Sequence, residues 1–206
     1  MVGVNGQADM QWYTYCRDIC SKEMLSILME IGGEGHVVGI DETSLKKKSK
    51  YNRGHHYWLF GGVDRTTNHW FGIVTYEDRT KPTLSALIKE HMKAGTTIMS
   101  DQIALYVSMN GKHTLANNRL LRDKNYKHLW VNHSKTYVDP ATGTHTNRIE
   151  GAWKIRAKHH AIRGMKKALL PMYLDEYLWR SWFTPPQATQ SDVLRSLVTG
   201  IVKYYY

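Results

Sequence analysis

The strongest constraint on the fold is the order of strand-like and helix-like segments between residues 36 and 132. Three apolar segments in a row, 36–41, 56–63 and 69–76, have the length and the bounding residues of β-strands. The second and third are joined by residues 64–68, Asp-Arg-Thr-Thr-Asn, which are turn formers and indicate a hairpin. Helix-like and strand-like patterns then alternate, in the order helix 83–93, strand 96–100, helix 103–110, strand 128–132 and a mostly helical region from about 147.

This order predicts an α/β domain of the ribonuclease-H-like class. Its expected architecture is a mixed sheet, with the first three strands antiparallel and helices on both faces. The chain has 206 residues, of which 42% are hydrophobic and 22% charged. That is enough for one domain with a substantial core and a short appendage. The segment 9–30 ahead of the first strand reads as an amphipathic helix or two short ones.

The charge of the chain favours a polyanionic partner. The formal net charge is +10 and the isoelectric point is near 9.5, and nucleic acid is the commonest partner of such proteins. No apolar stretch approaches the length of a membrane span, and residues 1–6 do not read as a signal peptide. Cys16 and Cys20 suggest neither a disulfide framework nor a zinc knuckle. The expected location is therefore the nucleus of a eukaryotic host, or the cytoplasm and nucleoid of a bacterial one, and not a secreted compartment.

Three acidic residues stand in settings that suit metal binding. Asp41 ends the first apolar run, Asp101 ends the run at 96–100, and Glu150 lies near the start of a helical segment. Carboxylates gathered in this way can hold two divalent cations, which clamp the attacking and leaving oxygens of a phosphodiester exchange. The competing interpretation is that both aspartates are ordinary turn residues at strand ends, where Asp is favoured in any case.

The helix that begins near residue 147 predicts which side chains face the metals. At 3.6 residues per turn, Asn147, Glu150 and Lys154 share one face, while Ile149 and Trp153 share a neighbouring face that can be buried. Glu150 is the preferred third ligand because it carries a full charge. Asn147 is the alternative, since an amide oxygen can also coordinate Mg²⁺.

Basic residues and histidines close to these acids are candidates for supporting roles. The basic residues are either DNA-backbone contacts or solvated charges. His133 and His145 are predicted to form hydrogen bonds near the metal-bearing loops, because the histidine spacing matches no structural zinc pattern. The candidate DNA-binding residues are Lys46, Lys47, Lys48, Arg53, Lys154, Arg156 and Lys158.

An ordered set of motifs gives the chain a family resemblance. The matching stretches are 31–43, 50–54 with 58–62, 95–101 with Tyr106, 131–134, 137–150 and 173–180. In this order they resemble the DDE transposases of the Merlin elements and their bacterial insertion-sequence relatives. The resemblance implies a ribonuclease-H-like fold, dependence on Mg²⁺ with Mn²⁺ as a substitute, and cut-and-paste DNA transposition. It also implies that Asp41, Asp101 and Glu150 are the metal ligands.

The resemblance also implies a domain organisation and partners. Family members usually begin with a zinc-ribbon or helix-turn-helix segment, so residues 1–33 are expected to be a helical remnant of a DNA-end-binding region. Residues 34–184 are the expected catalytic domain and 185–206 a C-terminal helical tail. Transposon ends and target DNA are the implied partners, with a homo-oligomer assembled on DNA. Two alternatives stay open: a domesticated or truncated DNA-binding protein without catalysis, and a related nuclease that cuts without joining.

Overall fold

The computed structural model describes residues 6–45, 57–76, 78–134, 136–153, 167–185 and 187–206. Seven strands and five α-helices are found among these residues. The strands are β1 (Ile31–Gly32), β2 (Val37–Ser44), β3 (Trp58–Asp64), β4 (Trp70–Tyr76), β5 (Met92–Lys93), β6 (Thr97–Asp101) and β7 (Lys127–Val131). The helices are α1 (Gly6–Leu25), α2 (Lys81–His91), α3 (Asn147–Ala152), α4 (Leu170–Phe183) and α5 (Gln190–Tyr205).

A five-stranded mixed sheet forms the centre of the domain. Its order is β4-β3-β2-β6-β7. The first three strands in the chain, β2, β3 and β4, pair antiparallel, and β6 and β7 continue the sheet in parallel. The hairpin predicted between residues 63 and 69 is present, with Asp64 N–H donating to the His69 carbonyl at 2.9 Å. This is a ribonuclease-H-like α/β fold, so the predicted fold class is confirmed.

Alternate residues of the strands pack against helices on opposite faces of the sheet. Trp70 contacts Trp153, just beyond α3, with ring centroids 6.1 Å apart. The next residue, Phe71, stacks on His91 of α2 at 5.0 Å. Side chains of a strand alternate between the two faces, so neighbouring residues 70 and 71 mark the α3 face and the α2 face. Helices therefore cover both faces, as predicted.

Glycines on the α3 face allow that helix to lie close to the sheet. Ile149 is fully buried and lies 3.8 Å from the position that a Cβ would take on Gly39. A Cβ on Gly61 would lie 2.6 Å from the ring of Trp153, which is too close for any side chain. The sequence interpretation that Ile149 and Trp153 form the buried side of this helix is thus confirmed.

The helix predicted over 103–110 is wrong. The chain there makes a single turn, with Val107 N–H donating to the Ile103 carbonyl at 2.8 Å, and then reverses at Asn110 and Gly111. The Ser108 N–H donates instead to the His113 carbonyl at 2.9 Å, and the Ser108 hydroxyl donates to Asn110 at 2.7 Å. Local side-chain hydrogen bonds of this kind compete with helix continuation. A 3-10 helix over Arg119–Lys124, which the pattern did not predict, precedes β7.

Helices α1, α4 and α5 form a second compact unit, and residues 29–164 form the unit that contains the sheet. Within the helical unit, Arg17 of α1 pairs with Glu176 of α4 at 3.0 Å, and Ser21 donates to Asp175 at 2.7 Å. The functional boundaries predicted at residues 33 and 184 stay a prediction. None of the helices in the described residues has both the length and the apolar composition needed to cross a bilayer.

Candidate active site

Asp41 and Asp101 lie side by side on the two central parallel strands. The register pairs Gly39 of β2 with Met99 of β6, and each aspartate follows its paired residue by two positions. Residues two apart on a strand share a face, so both carboxylates lie on the face that α3 covers. The two aspartates, 60 positions apart in sequence, are thus brought to one place by the parallel pairing.

The Asp41 carboxylate is strongly perturbed by its surroundings. Burial, and then the negative charge of Asp101, raise the pKa of Asp41 to about 7. The indole Nε1–H of Trp153 donates to Asp41 Oδ2 at 3.1 Å and opposes this rise. Two acids held this close disfavour each other's ionised form unless a cation compensates them.

Asp101 carries an oxygen with no hydrogen-bond donor. Its Oδ1 atom is buried and has no partner within the described part of the chain. Burial raises the pKa of Asp101, while the nearby His133 and Arg79 lower it. A buried carboxylate oxygen without a donor is costly, and it is the kind of hard ligand that a divalent cation takes. The donor set therefore fits such a cation.

Glu150 and Asn147 lie across a cleft from Asp41. The cleft has a volume of about 580 Å³. Glu150 is half exposed, and its Oε1 accepts from the Thr146 hydroxyl at 2.5 Å, with His133 Nε2 3.8 Å away. His133 Nε2 also lies 2.9 Å from the same Thr146 hydroxyl. The residues lining the cleft are Asp41, Glu42, Thr43, Asn147, Glu150, Gly151 and Trp153.

The three predicted ligands are therefore neighbours but do not form a closed cluster. No three His, Cys, Asp or Glu side chains of the described residues are close enough to hold a metal ion together. Asp41 and Asp101 meet on the sheet, whereas the Glu150 carboxylate is held by Thr146. Thr146 and His133 thus determine where this carboxylate lies. The sequence interpretation named His133 as supporting but did not single out Thr146.

Glu42 belongs to the same region, although its side chain and that of Asp41 face opposite sides of the sheet, as successive residues of a strand do. It pairs with Arg79 at 3.4 Å, and its side chain is only 1% exposed. Arg79 in turn lies over the Trp58 ring, 4.2 Å from its centroid. The Tyr106 hydroxyl is also near Glu42, and burial together with that charge raises the pKa of Tyr106. This pairing gives Glu42 a structural role, and Arg79 is a residue that the sequence patterns did not reveal.

The other predicted site residues divide into two groups. His145 lies near the site but faces Arg65, whose guanidinium donates to the His145 carbonyl at 2.5 Å. The rest lie outside the described residues, so their predicted contacts with DNA stay predictions. They are Lys46, Lys47, Lys48, Arg53, Lys154, Arg156 and Lys158.

Comparison with solved structures returns retroviral proteins. A chain of the simian T-cell lymphotropic virus intasome in complex with PP2A regulatory subunit B56 gamma is 14% identical, with a TM-score of 0.47, over 85% of this chain and 66% of that one. The HTLV-2 integrase catalytic core domain in complex with magnesium is 17% identical in its trimeric form, with a TM-score of 0.44, over 77% of this chain and 92% of that one. Its dimeric form is 16% identical, with a TM-score of 0.44, over 80% and 95%.

Comparison of sequences gives the family. No curated protein sequence matches this chain. The model of the ISXO2-like transposase domain matches residues 30–183, which include the whole sheet, Asp41, Asp101 and the helix that carries Glu150. The chain belongs to the ISXO2-like transposase domain family, a family of DDE transposases.

Proposed function

We propose that this chain is the catalytic domain of a Mg²⁺-dependent DNA transposase that cleaves a DNA strand and transfers its 3′-hydroxyl end. Asp41, Asp101 and Glu150 are the proposed ligands of two cations, with Mn²⁺ as a substitute. The observation that carries the proposal is that two aspartates each lie two positions beyond the paired residues Gly39 and Met99 of β2 and β6, and that Asp101 has a buried oxygen with no donor among the described residues.

The proposed roles of the side chains follow from their contacts. Divalent cations, when bound, would stabilise the negative charge that develops on the attacking and leaving oxygens. Asp41 is oriented by the Trp153 indole, and Asp101 presents its free oxygen on the same face. The Thr146 hydroxyl donates to the Glu150 carboxylate and orients it across the cleft from Asp41. Asn147, which lines the same cleft, is the alternative third ligand.

The proposed partners are transposon ends and target DNA, bound by a homo-oligomer. The net charge of +10 supports a nucleic-acid partner. We place the chain with the Merlin elements and their bacterial insertion-sequence relatives on the motifs that it shares with them. The corresponding location is the nucleus or the bacterial nucleoid.

The test is divalent-metal-dependent cleavage of a DNA duplex that carries a 3′-hydroxyl end. We expect Asp101→Asn to abolish cleavage in Mg²⁺ and to leave the free energy of unfolding unchanged or higher, because the buried Oδ1 atom of this carboxylate has no hydrogen-bond donor among the described residues. Asp123→Asn is the matched control, since Asp123 is exposed and pairs only with Lys89 among the described residues. Cleavage at the wild-type rate by Asp101→Asn would rule out the proposed site.

One observation favours the alternative of a DNA-binding protein without catalysis. The Glu150 carboxylate accepts a hydrogen bond from Thr146, and it does not form a group of three with the two aspartates. The same assay separates the possibilities. DNA binding without nicking supports the non-catalytic protein, nicking without joined products supports a nuclease, and joined products support the transposase.

A further inference from the structure

Two arginines meet at the turn between β3 and β4, on the opposite side of α3 from Glu150. Arg148, the second residue of α3, donates from Nη2 to Asn68 Oδ1 in the turn. Arg65, the first residue after β3, lies against the His145 imidazole, with its two Nη atoms 3.3 and 3.4 Å from the ring nitrogens. Two segments about 80 residues apart in sequence thus bring two guanidinium groups to one place.

The turn that carries Arg65 is held in shape by Asp64. This carboxylate accepts from the backbone N–H of Thr66 at 2.8 Å and of Gly32 at 3.3 Å, and it contacts His36 Nδ1 at 2.8 Å. The side chain of Asp64 is only 2% exposed. Its oxygens are therefore used inside the turn, and they are not available to neutralise the adjacent Arg65.

No carboxylate of the described residues forms an ion pair with Arg65 or with Arg148. Of the 18 acidic residues in the chain, only Glu77 lies outside that part. Tyr76, the last residue of β4 and the one before Glu77 in sequence, is separated from the turn by the length of that strand, roughly 20 Å at ~3.3 Å per residue.

The surroundings of Arg65 disfavour its charged form. Its Nε atom is buried and has no hydrogen-bond acceptor in the described structure. Burial, and then the positive charge of Arg148, lower the pKa of Arg65. Two like charges held near one another in a partly buried place repel, and an anion between them would turn that repulsion into attraction. The arrangement is that of an anion site.

We propose that Arg65 and Arg148 together bind one phosphodiester group of a nucleic-acid backbone. Guanidinium groups present paired N–H donors that match two phosphate oxygens. Arg148 and Glu150 point to opposite sides of α3, because they are two positions apart on the helix. The bound phosphate would therefore lie on the other side of α3 from the cleft. Such a contact positions the strand and reads no sequence.

The proposal rests on the proposed function for the identity of the nucleic acid as DNA. Its test is equilibrium binding of a fluorescently labelled DNA duplex, measured by anisotropy with EDTA present over a series of salt concentrations. We expect Arg148→Gln to weaken binding to unrelated sequences equally, and to reduce the slope of log K against log salt by about 0.9, the value for one lost phosphate contact. Arg148 is exposed, so this variant is expected to keep the wild-type melting temperature.

Arg122→Gln is the matched control. Arg122 is also an exposed arginine without an ion-paired partner among the described residues, and it lies on the 3-10 helix that packs against α2. Its replacement is expected to leave the salt slope unchanged.

The outcomes separate this proposal from the proposed function. An unchanged salt slope for a folded Arg148→Gln variant overturns the phosphate site, whether or not the wild type cleaves DNA. Absence of DNA binding by the wild type also overturns it. A reduced slope together with a wild type that does not nick DNA in Mg²⁺ supports the phosphate site and contradicts the catalytic function.

Discussion

The pH dependence of stability is predicted to depend on His128, which is buried beside β6. The backbone N–H of Leu115 donates to His128 Nδ1 at 3.1 Å, and since an N–H group can only donate, the ring proton must be on Nε2. That nitrogen lies 3.0 Å from the Ser100 hydroxyl, which itself donates to the Asp101 carbonyl at 2.8 Å. The hydrogen bond at Nδ1 therefore requires neutral imidazole, because both ring nitrogens of the protonated form are donors.

The size of the effect follows from the pKa. Burial lowers the pKa of His128 from 6.5 to about 4. Between these values the unfolded chain binds a proton at His128 that the folded chain does not bind. The free energy of unfolding therefore decreases as the pH falls from 6.5 towards 4. A gap of about 2.5 pH units, at about 1.4 kcal/mol each, amounts to about 3 kcal/mol over the whole window and about 2 kcal/mol by pH 5.

Urea denaturation of the wild type and of His128→Gln, at several pH values from 7.5 to 5, measures this contribution. Glutamine does not titrate, so the variant should be less stable at pH 7.5 and its disadvantage should shrink by about 2 kcal/mol at pH 5. Every other titrating group is common to both proteins and cancels in the difference. A difference that stays constant from pH 7.5 to pH 5 would refute the reasoning.

Three further predictions concern packing, acid stability and the third ligand. Gly61→Ala places a Cβ 2.6 Å from the Trp153 ring, and in urea denaturation it should cost about 1–3 kcal/mol of stability. Burial raises the pKa of Asp64, but hydrogen bonds from Thr66 and His36 outweigh it and the net pKa is lowered. Wild-type stability should therefore fall as the pH drops through and below 3.8, and Asp64→Asn should remove that part of the acid dependence. Glu150→Gln should reduce cleavage in Mg²⁺ and Mn²⁺ series far more than Asn147→Ala, and the reverse result would make Asn147 the ligand.

Much of the sheet could be predicted because its signals are local. Each long strand is an apolar run bounded by turn formers, and the turn at 64–68 defines the hairpin. Asp41 and Asp101 could be identified for the same reason, since each stands at a fixed place on a recognisable strand. The prediction of a helix over 103–110 was wrong, although the spacing of the apolar residues there is typical of a helix. In the fold, Tyr106 and Val107 are buried after a single turn, and Asn110-Gly111 then reverses the chain.

The contacts that shape the site could not be predicted, because they join residues far apart in sequence. Trp153 reaches Asp41 across 112 positions, and Arg79 reaches Glu42 across 37. A pattern can show that Trp153 is buried, but the atom that its indole donates to depends on how α3 crosses the sheet. The hydrogen bond from Thr146 to Glu150 is different, because these residues are only four positions apart. Helical spacing could therefore have indicated it.

The rotation of α3 links the two proposed sites. Three successive residues of this helix have different surroundings: Arg148 contacts the β3–β4 turn, Ile149 packs over Gly39, and Glu150 lines the cleft. Successive residues are about 100° apart on a helix, so burying Ile149 fixes the directions of its two neighbours. A helix of six residues is too short to hold its orientation alone. Its apolar packing on the sheet therefore sets both the carboxylate in the cleft and the guanidinium at the turn.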